Sequence, residues 1–174
     1  MTSPYWFKQT KYIISKPTPV LSAKEEGSKK MEPNILVIQS LGIKAPIIEV
    51  VNKKESDFQK ALTQGVGHYP GTASIGDYGN TYLFGHSSDH LWKSGSYKTV
   101  FALLPHINIG DKIIASDNKG NSFTYIVTET KVASADDFSV LDQHGNQKKI
   151  LTIQTSYPIG TSLKRFIVTA EIQP

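Results

Sequence analysis

Three polar residues, His86, Ser156 and Arg165, each lie where a predicted β-strand meets a loop. His86 follows "NTYLFG", Ser156 follows "ILTIQT", and Arg165 opens "RFIVTAE". The segment "TSYPIGTSLKR" predicts a loop of about nine residues, in which Pro158 and Gly160 favour a turn back to an adjacent strand. We therefore expect one hairpin to carry both Ser156 and Arg165.

A hydroxyl, an imidazole and a guanidinium together favour acyl transfer. The hydroxyl would attack a carbonyl, the imidazole would transfer protons, and the forked guanidinium donors would bind the oxyanion or the substrate backbone. Arg165 is the only arginine, since the other 18 of the 19 basic residues are lysine. Simpler interpretations stay open: Arg165 as a strand-edge residue, His86 as a turn residue, and Ser156 in an ordinary turn that lacks a Gly-x-Ser-x-Gly elbow.

The segment "HSSDH" raises metal binding as an alternative, through His86, Asp89 and His90. No third histidine lies at ligand spacing and no helix aligns the carboxylate, so a metal site is disfavoured. Acidic clusters that would bind calcium are sparse. No cofactor is predicted. The other three histidines lie in turn-like contexts and are predicted to be structural: His68, His106 and His144.

The elements that must position these residues are predominantly strands. From residue 35 onward, seven β-branched or aromatic runs are separated by Gly, Pro, Asn and Asp, a pattern typical of a barrel or sandwich. Helical texture is limited to "KESDFQKALTQG", where Ser56 can cap the helix and Gly65 can end it, and to "YKTVFALL". We expect both helices to cross over the sheet.

The chain's 174 residues, 39% of them apolar, suffice for one hydrophobic core. Residues 1–32, with six lysines and three glutamates, are interpreted as a flexible linker or tail, and residues 33–174 as the folded domain. The remaining 13 basic and 12 acidic residues nearly cancel, which disfavours nucleic-acid binding. Disulfides and thiolate metal sites are excluded because cysteine is absent.

The strand motifs also resemble a known family. "LTIQTSYPIGTSLKR" resembles the active-site strand and loop of sortases, whose signature is Thr-Leu-x-Thr-Cys followed by an arginine on the next strand. "NTYLFGHSSDH" resembles the strand and Gly-His turn that carry the family's histidine. "VGHYPGTASIGDYGN" and "LGIKAPIIEV" are similar to the segment before that histidine and to the first barrel strands. The motifs occur in family order over roughly residues 35–172, with most similarity to classes D and E.

The resemblance implies a mainly β fold, a closed eight-stranded barrel with one or two short crossover helices. It also implies a transpeptidase that cleaves the Thr-Gly bond of an LPXTG-like sorting signal in surface proteins or pilins. The acyl group is then joined to an amine acceptor of the cell wall or a pilin. The resemblance further implies action on the outer, extracellular face of the cell membrane, with tethering by an N-terminal helix that we expect this chain to lack. The oligomeric state stays open.

Residue by residue, His86 matches the family's histidine and Arg165 matches its arginine. Thr155 matches the threonine before the nucleophile, and we assign Thr155 to substrate binding. Ser156 occupies the position of the catalytic cysteine. A hydroxyl is a far weaker acid than a thiol, whose ordinary pKa is about 8.5, so we expect little or no turnover. In a chain without cysteine, an engineered Cys-to-Ser replacement is favoured over a natural serine sortase. The alternatives are a non-catalytic sortase-like peptide-binding module and a serine hydrolase.

Overall fold

The described residues form a β-barrel crossed by one α-helix. The computed structural model describes residues 30–88, 96–143 and 147–172. Its strands are β1 (Ile35–Ile38), β2 (Ile43–Glu49), β3 (Val66–His68), β4 (Gly79–Phe84), β5 (Lys112–Ser116), β6 (Ser122–Ser134), β7 (Lys149–Tyr157) and β8 (Lys164–Ile172). The α-helix is α1 (Glu55–Gln64), and 3₁₀ helices span Gln39–Leu41, Leu104–His106 and Phe138–Leu141.

The described strands close into a barrel in the order β1-β2-β3-β4-β7-β8-β6-β5, and β5 pairs back with β1. The pairs β2 with β3 and β4 with β7 are parallel, and the other neighbours are antiparallel. Closure removes the open strand edges that a flat sheet would expose. The predicted mainly β, eight-stranded closed barrel is confirmed.

The interior of the barrel is filled by alternate side chains of each strand. In β7, Leu151 and Ile153 are fully buried in the core. Gln154 and Ser156 alternate with them and therefore lie on the outer face of the barrel. The strand that fills the core thus also presents polar side chains outside it.

Helix α1 makes the crossover that the parallel pair β2 and β3 requires. Its buried residue Ala61 packs toward the barrel, and Gly65 ends the helix as predicted. The expectation that Ser56 caps the helix is wrong. The helix begins two residues earlier than that cap implies, at Glu55, with Lys54 at the N-cap, and Ser56 therefore lies in the first turn.

The prediction of a second helix at "YKTVFALL" is also wrong. These residues form turns that lead into the 3₁₀ helix Leu104–His106. The Phe101 backbone N–H donates to the His86 carbonyl over 2.9 Å, so it is not available for an α-helical bond. Phe101 itself is fully buried, which anchors this segment to the barrel instead.

The chain contacts the barrel slightly before the predicted domain boundary at residue 33. The Met31 backbone N–H donates to the Gly120 carbonyl at 2.9 Å, and the Ser116 hydroxyl donates to the Glu32 carbonyl at 2.6 Å. The Glu32 carboxylate also lies 3.0 Å from the Lys44 ammonium. Residues 1–29 lie outside the described residues, so the predicted flexible tail stays a prediction.

We expect a chain that begins at Lys30 to melt within a few degrees of the full chain, because the tail composition offers little to bury. A chain that begins at Pro33 should melt roughly 2–8 °C lower, since it loses the Met31 and Glu32 hydrogen bonds. Thermal unfolding followed by circular dichroism measures both. A large loss in the first truncation would contradict the prediction and assign a stabilising role to residues 1–29.

Candidate active site

The β7–β8 hairpin places Ser156 directly opposite Arg165, because the two residues are Cα partners in the antiparallel register. Ser156 lies inside β7, one residue before its end. The connection is shorter than the predicted nine residues: it spans Pro158–Leu163, because β7 continues to Tyr157 and β8 begins at Lys164. The hairpin therefore carries both side chains on rigid, paired strands.

The half-buried Arg165 side chain also binds the turn of its own hairpin. Its Nη1 donates to the carbonyls of Ser162 and Lys164, both at 3.0 Å. Nη2 and Nε make no hydrogen bond to the residues that the structure describes. One nitrogen thus holds the guanidinium in place, and two others can donate to a ligand.

His86 lies two residues beyond the end of β4, on a segment held against β7 by hydrogen bonds. The Thr155 hydroxyl donates to the Gly85 carbonyl at 2.9 Å, and the Gly85 N–H donates to the Gln154 carbonyl at 3.1 Å. On its other side, the His86 carbonyl accepts from Phe101. The backbone that carries the histidine is therefore fixed relative to the strand that carries Ser156.

Thr155 is 1% exposed, and its hydroxyl is already bonded to Gly85. Its side chain alternates with Ser156 and points inward, away from the outer face. The geometry indicates a residue that positions the His86 segment. Its assignment to substrate binding stays a prediction.

His86, Ser156 and Arg165 line the same cleft, which has a volume of about 450 Å³. One wall is formed by four aromatic rings of α1, β4 and the β3–β4 connection. Their neighbouring ring centroids lie 5.4–6.4 Å apart, in stacked and edge-to-face pairs. We call this set the aromatic wall: Phe58, Tyr69, Tyr82 and Phe84.

The aromatic wall depends on a missing side chain in β3. A Cβ atom at Gly67 would lie 2.2 Å from the Phe84 ring, so only glycine, which has no Cβ atom, fits here without a clash.

The buried His68 imidazole contacts Glu49 through Nδ1 at 2.7 Å and the Ala73 carbonyl through Nε2 at 3.0 Å. His68 thus fastens the β3–β4 connection to the barrel, the structural kind of role predicted for it.

The opposite wall is the β6–β7 connection, including the 3₁₀ helix Phe138–Leu141. Buried Asn80 of β4 holds it through Nδ2, which donates to the carbonyls of Val140 at 2.9 Å and Asp142 at 3.1 Å. The Gln143 Oε1 accepts from the Asn80 N–H at 3.1 Å. Sequence reasoning missed Asn80 and Gln143, because no motif marks a bond between residues 63 positions apart.

Within the three described ranges, no group of three His, Asp or Glu residues could hold a metal ion. Two of the residues considered as metal ligands, Asp89 and His90, lie outside the described residues, as does His144. His106 ends the 3₁₀ helix Leu104–His106, away from the cleft lining. No helix in the described part of the chain is both long and apolar enough to cross a membrane.

The sequence matches the family model of the sortase domain over residues 36–173. The chain belongs to the sortase family. Sortases are cysteine transpeptidases. The assignment of Ser156 to the position of the catalytic cysteine rests on the motif resemblance and stays a prediction. A search of curated proteins finds no match to this sortase.

Solved sortase structures share the fold. A sortase D5 transpeptidase of Clostridium perfringens is 26% identical, with 80% of this chain and 78% of that chain covered and a TM-score of 0.64. Sortase C-1 of Actinomyces oris is 26% identical over 80% and 73% of the two chains, with a TM-score of 0.66. The pilus-related sortase C of Group B Streptococcus is 26% identical over 80% and 66%, with a TM-score of 0.63.

We expect Arg165→Lys, made in the Ser156→Cys protein, to slow acylation about a hundredfold or more. An ammonium can still donate to the Ser162 and Lys164 carbonyls, but it cannot present the two remaining donors of the guanidinium. Stopped-flow kinetics of enzyme acylation by a sorting peptide measures the rate, and the melting temperature serves as the control for folding. Unchanged acylation would assign Arg165 a structural role only.

Thr155→Val should lower the free energy of unfolding by about 1–2 kcal/mol and reduce kcat in the Ser156→Cys protein. The substitution keeps the shape but removes the hydrogen bond that holds Gly85, next to His86. Thr152→Val is the matched control, because Thr152 is equally buried in β7 and its hydroxyl bonds no described residue. Equal effects of the two variants on kcat would contradict the positioning role.

Proposed function

We propose that this sortase is a class D- or E-like transpeptidase whose catalytic residues are His86, Arg165 and the residue at position 156. The observation that carries the proposal is the cross-strand pairing of Ser156 with Arg165 at a cleft that His86 also lines. The subclass rests on the motif resemblance alone, because a sortase D5 and two class C sortases are equally identical to this chain. The substrates are the sorting signal of a surface protein or pilin, of the LPXTG type, and an amine acceptor.

With cysteine at position 156, the reaction proceeds in two steps, acylation of the enzyme and transfer of the acyl group to the acceptor amine. The thiolate attacks the scissile carbonyl carbon, and the Arg165 donors stabilise the oxyanion that forms. The C–N bond then breaks, and the leaving amine takes a proton from the His86 imidazolium, which leaves a thioester. The acceptor amine attacks the thioester carbon, gives a proton to the imidazole and releases the thiolate.

With serine at position 156, the first of these steps is slow. A guanidinium and an imidazole nearby favour the thiolate form of a thiol, whereas a hydroxyl must lose its proton during the attack. Serine and cysteine have similar shapes, so the cleft is retained. The Ser156 protein should therefore bind the sorting peptide with little turnover, as an engineered Cys-to-Ser replacement would.

Ser156→Cys is expected to convert the protein into an active transpeptidase. Incubation with an LPXTG-like peptide and hydroxylamine should yield the peptide hydroxamate, identified by mass spectrometry, and an added amine should yield the joined product. The new thiol should also react with iodoacetamide faster than the thiol of Ser162→Cys, a matched control on the exposed turn of the same hairpin. No hydroxamate from a folded Ser156→Cys protein, across several sorting sequences, would refute the proposal.

The serine itself supports a second candidate, a sortase-like module that binds peptides without cleaving them. That function predicts that the Ser156 and Ser156→Cys proteins bind the peptide equally and that neither forms a hydroxamate. A serine hydrolase is tested by a fluorophosphonate probe, which modifies Ser156 only if the hydroxyl is activated. Labelling of Ser156 would favour the hydrolase over both other functions.

A further inference from the structure

Gln154 lies on the outer face of β7, two residues before Ser156, and lines the same cleft. It stands at the x position of the Thr-Leu-x-Thr-Cys signature, which assigns no role to that residue. A glutamine carboxamide offers one acceptor and two donor hydrogens. Which of these faces the cleft depends on the partner that holds the amide.

That partner is Tyr82 of the aromatic wall, whose phenol donates a hydrogen bond to the Gln154 Oε1. Tyr82 is 3% exposed, and its burial raises the pKa of the phenol well above its ordinary value, an effect that the Arg165 charge only partly offsets. The phenol therefore keeps its proton at neutral pH and remains a donor. Its bond directs the oxygen of Gln154 toward Tyr82 on β4.

The nitrogen of the same carboxamide has no hydrogen-bond partner among the described residues. Because Oε1 is fixed by Tyr82, the Nε2 hydrogens point away from that bond, and the residue is half-buried in the cleft lining. This oriented, half-buried donor is open to solvent, and a ligand that displaces the solvent must supply an acceptor in its place.

The spacing along β7 indicates which acceptor. A strand rises about 3.3 Å per residue, so Gln154 and Ser156 are separated by about 6.6 Å on one face. An extended peptide has the same repeat, and its carbonyls two residues apart point in the same direction. If the scissile carbonyl lies at position 156 and the peptide runs parallel to β7, the carbonyl two residues earlier lies at Gln154.

We propose that Gln154 is a substrate-positioning residue whose Nε2 donates to the backbone carbonyl of the peptide residue two positions before the scissile one. The inference rests on the proposed transpeptidase function. The contact uses a carbonyl and needs no N–H, so it accepts a proline at that peptide position, which is where an LPXTG-like signal has one. Gln154 and Tyr82 thereby set the register of the bound peptide.

The test uses Gln154→Met in the Ser156→Cys protein, which keeps the length of the side chain and removes the amide. KM for the sorting peptide should rise about three- to tenfold with kcat changed less than twofold, because a neutral hydrogen bond made throughout the reaction is lost. Gln59→Met is the matched control: Gln59 lines the same cleft, but its Nε2 already donates to Glu55 at 2.7 Å. Its KM should stay within twofold of the parent.

Tyr82→Phe distinguishes a role of Gln154 in peptide binding from a role of Gln154 in stability alone. It retains the Gln154 donor but releases the carboxamide, so KM should rise by less than in Gln154→Met. The double variant should have the KM of Gln154→Met alone, since both changes act through one contact. A role in stability only would lower the melting temperature of Gln154→Met and leave its KM unchanged.

The outcomes distinguish this inference from the function on which it rests. An active Ser156→Cys parent whose KM is unaffected by Gln154→Met would overturn the inference and leave the transpeptidase function standing. An equal rise in KM for Gln59→Met would likewise overturn it. A folded parent without any turnover would overturn the proposed function, and this inference with it.

Discussion

The antiparallel register of β7 with β8 is the constraint on which the site depends. It pairs Ser156 with Arg165, and the same register pairs Leu151 with Ala170 and Ile153 with Val168 in the core. A slip by one residue would turn every side chain of β7 to the opposite face, which would bury Ser156 and expose Leu151. The hydrophobic packing of the interior therefore holds the polar pair outside. Core and site are two faces of one hairpin.

A second pairing brings the histidine to this hairpin. Strands β4 and β7 are parallel neighbours, with Phe84 opposite Gln154, so the segment after β4 lies beside the end of β7. The Thr155 hydroxyl then joins the two strands through Gly85. Since β7 lies between β4 and β8, one central strand aligns groups from three separate parts of the chain. The arrangement uses rigid strands for the reacting groups, which suits a reaction that requires fixed geometry.

The connections, in contrast, shape the cleft. Helix α1 and the β3–β4 connection supply two of the four rings of the aromatic wall, and Asn80 secures the β6–β7 connection opposite it. Loops on a rigid scaffold commonly tune binding, so we expect the connections to affect which peptide binds and the strands to hold the reacting groups. Gln154 lies on the strand that carries Ser156 and is oriented by Tyr82 of the aromatic wall on β4. It links the position of the peptide to the position of the reacting residue.

The sequence by itself predicted the β class, helix α1 with its end at Gly65, and a hairpin carrying Ser156 and Arg165, because side-chain periodicity and turn residues act locally. Its motifs were sufficient to indicate the family. It placed the start of α1 wrongly, and it predicted a helix at "YKTVFALL" that does not form. There the Phe101 N–H donates to the His86 carbonyl instead of making an α-helical bond. The parallel pairing of β4 with β7, the Asn80 bonds and the Tyr82 contact with Gln154 appear only in the folded barrel. These contacts join residues about 60 to 70 positions apart, and the choice among such partners depends on packing the whole core.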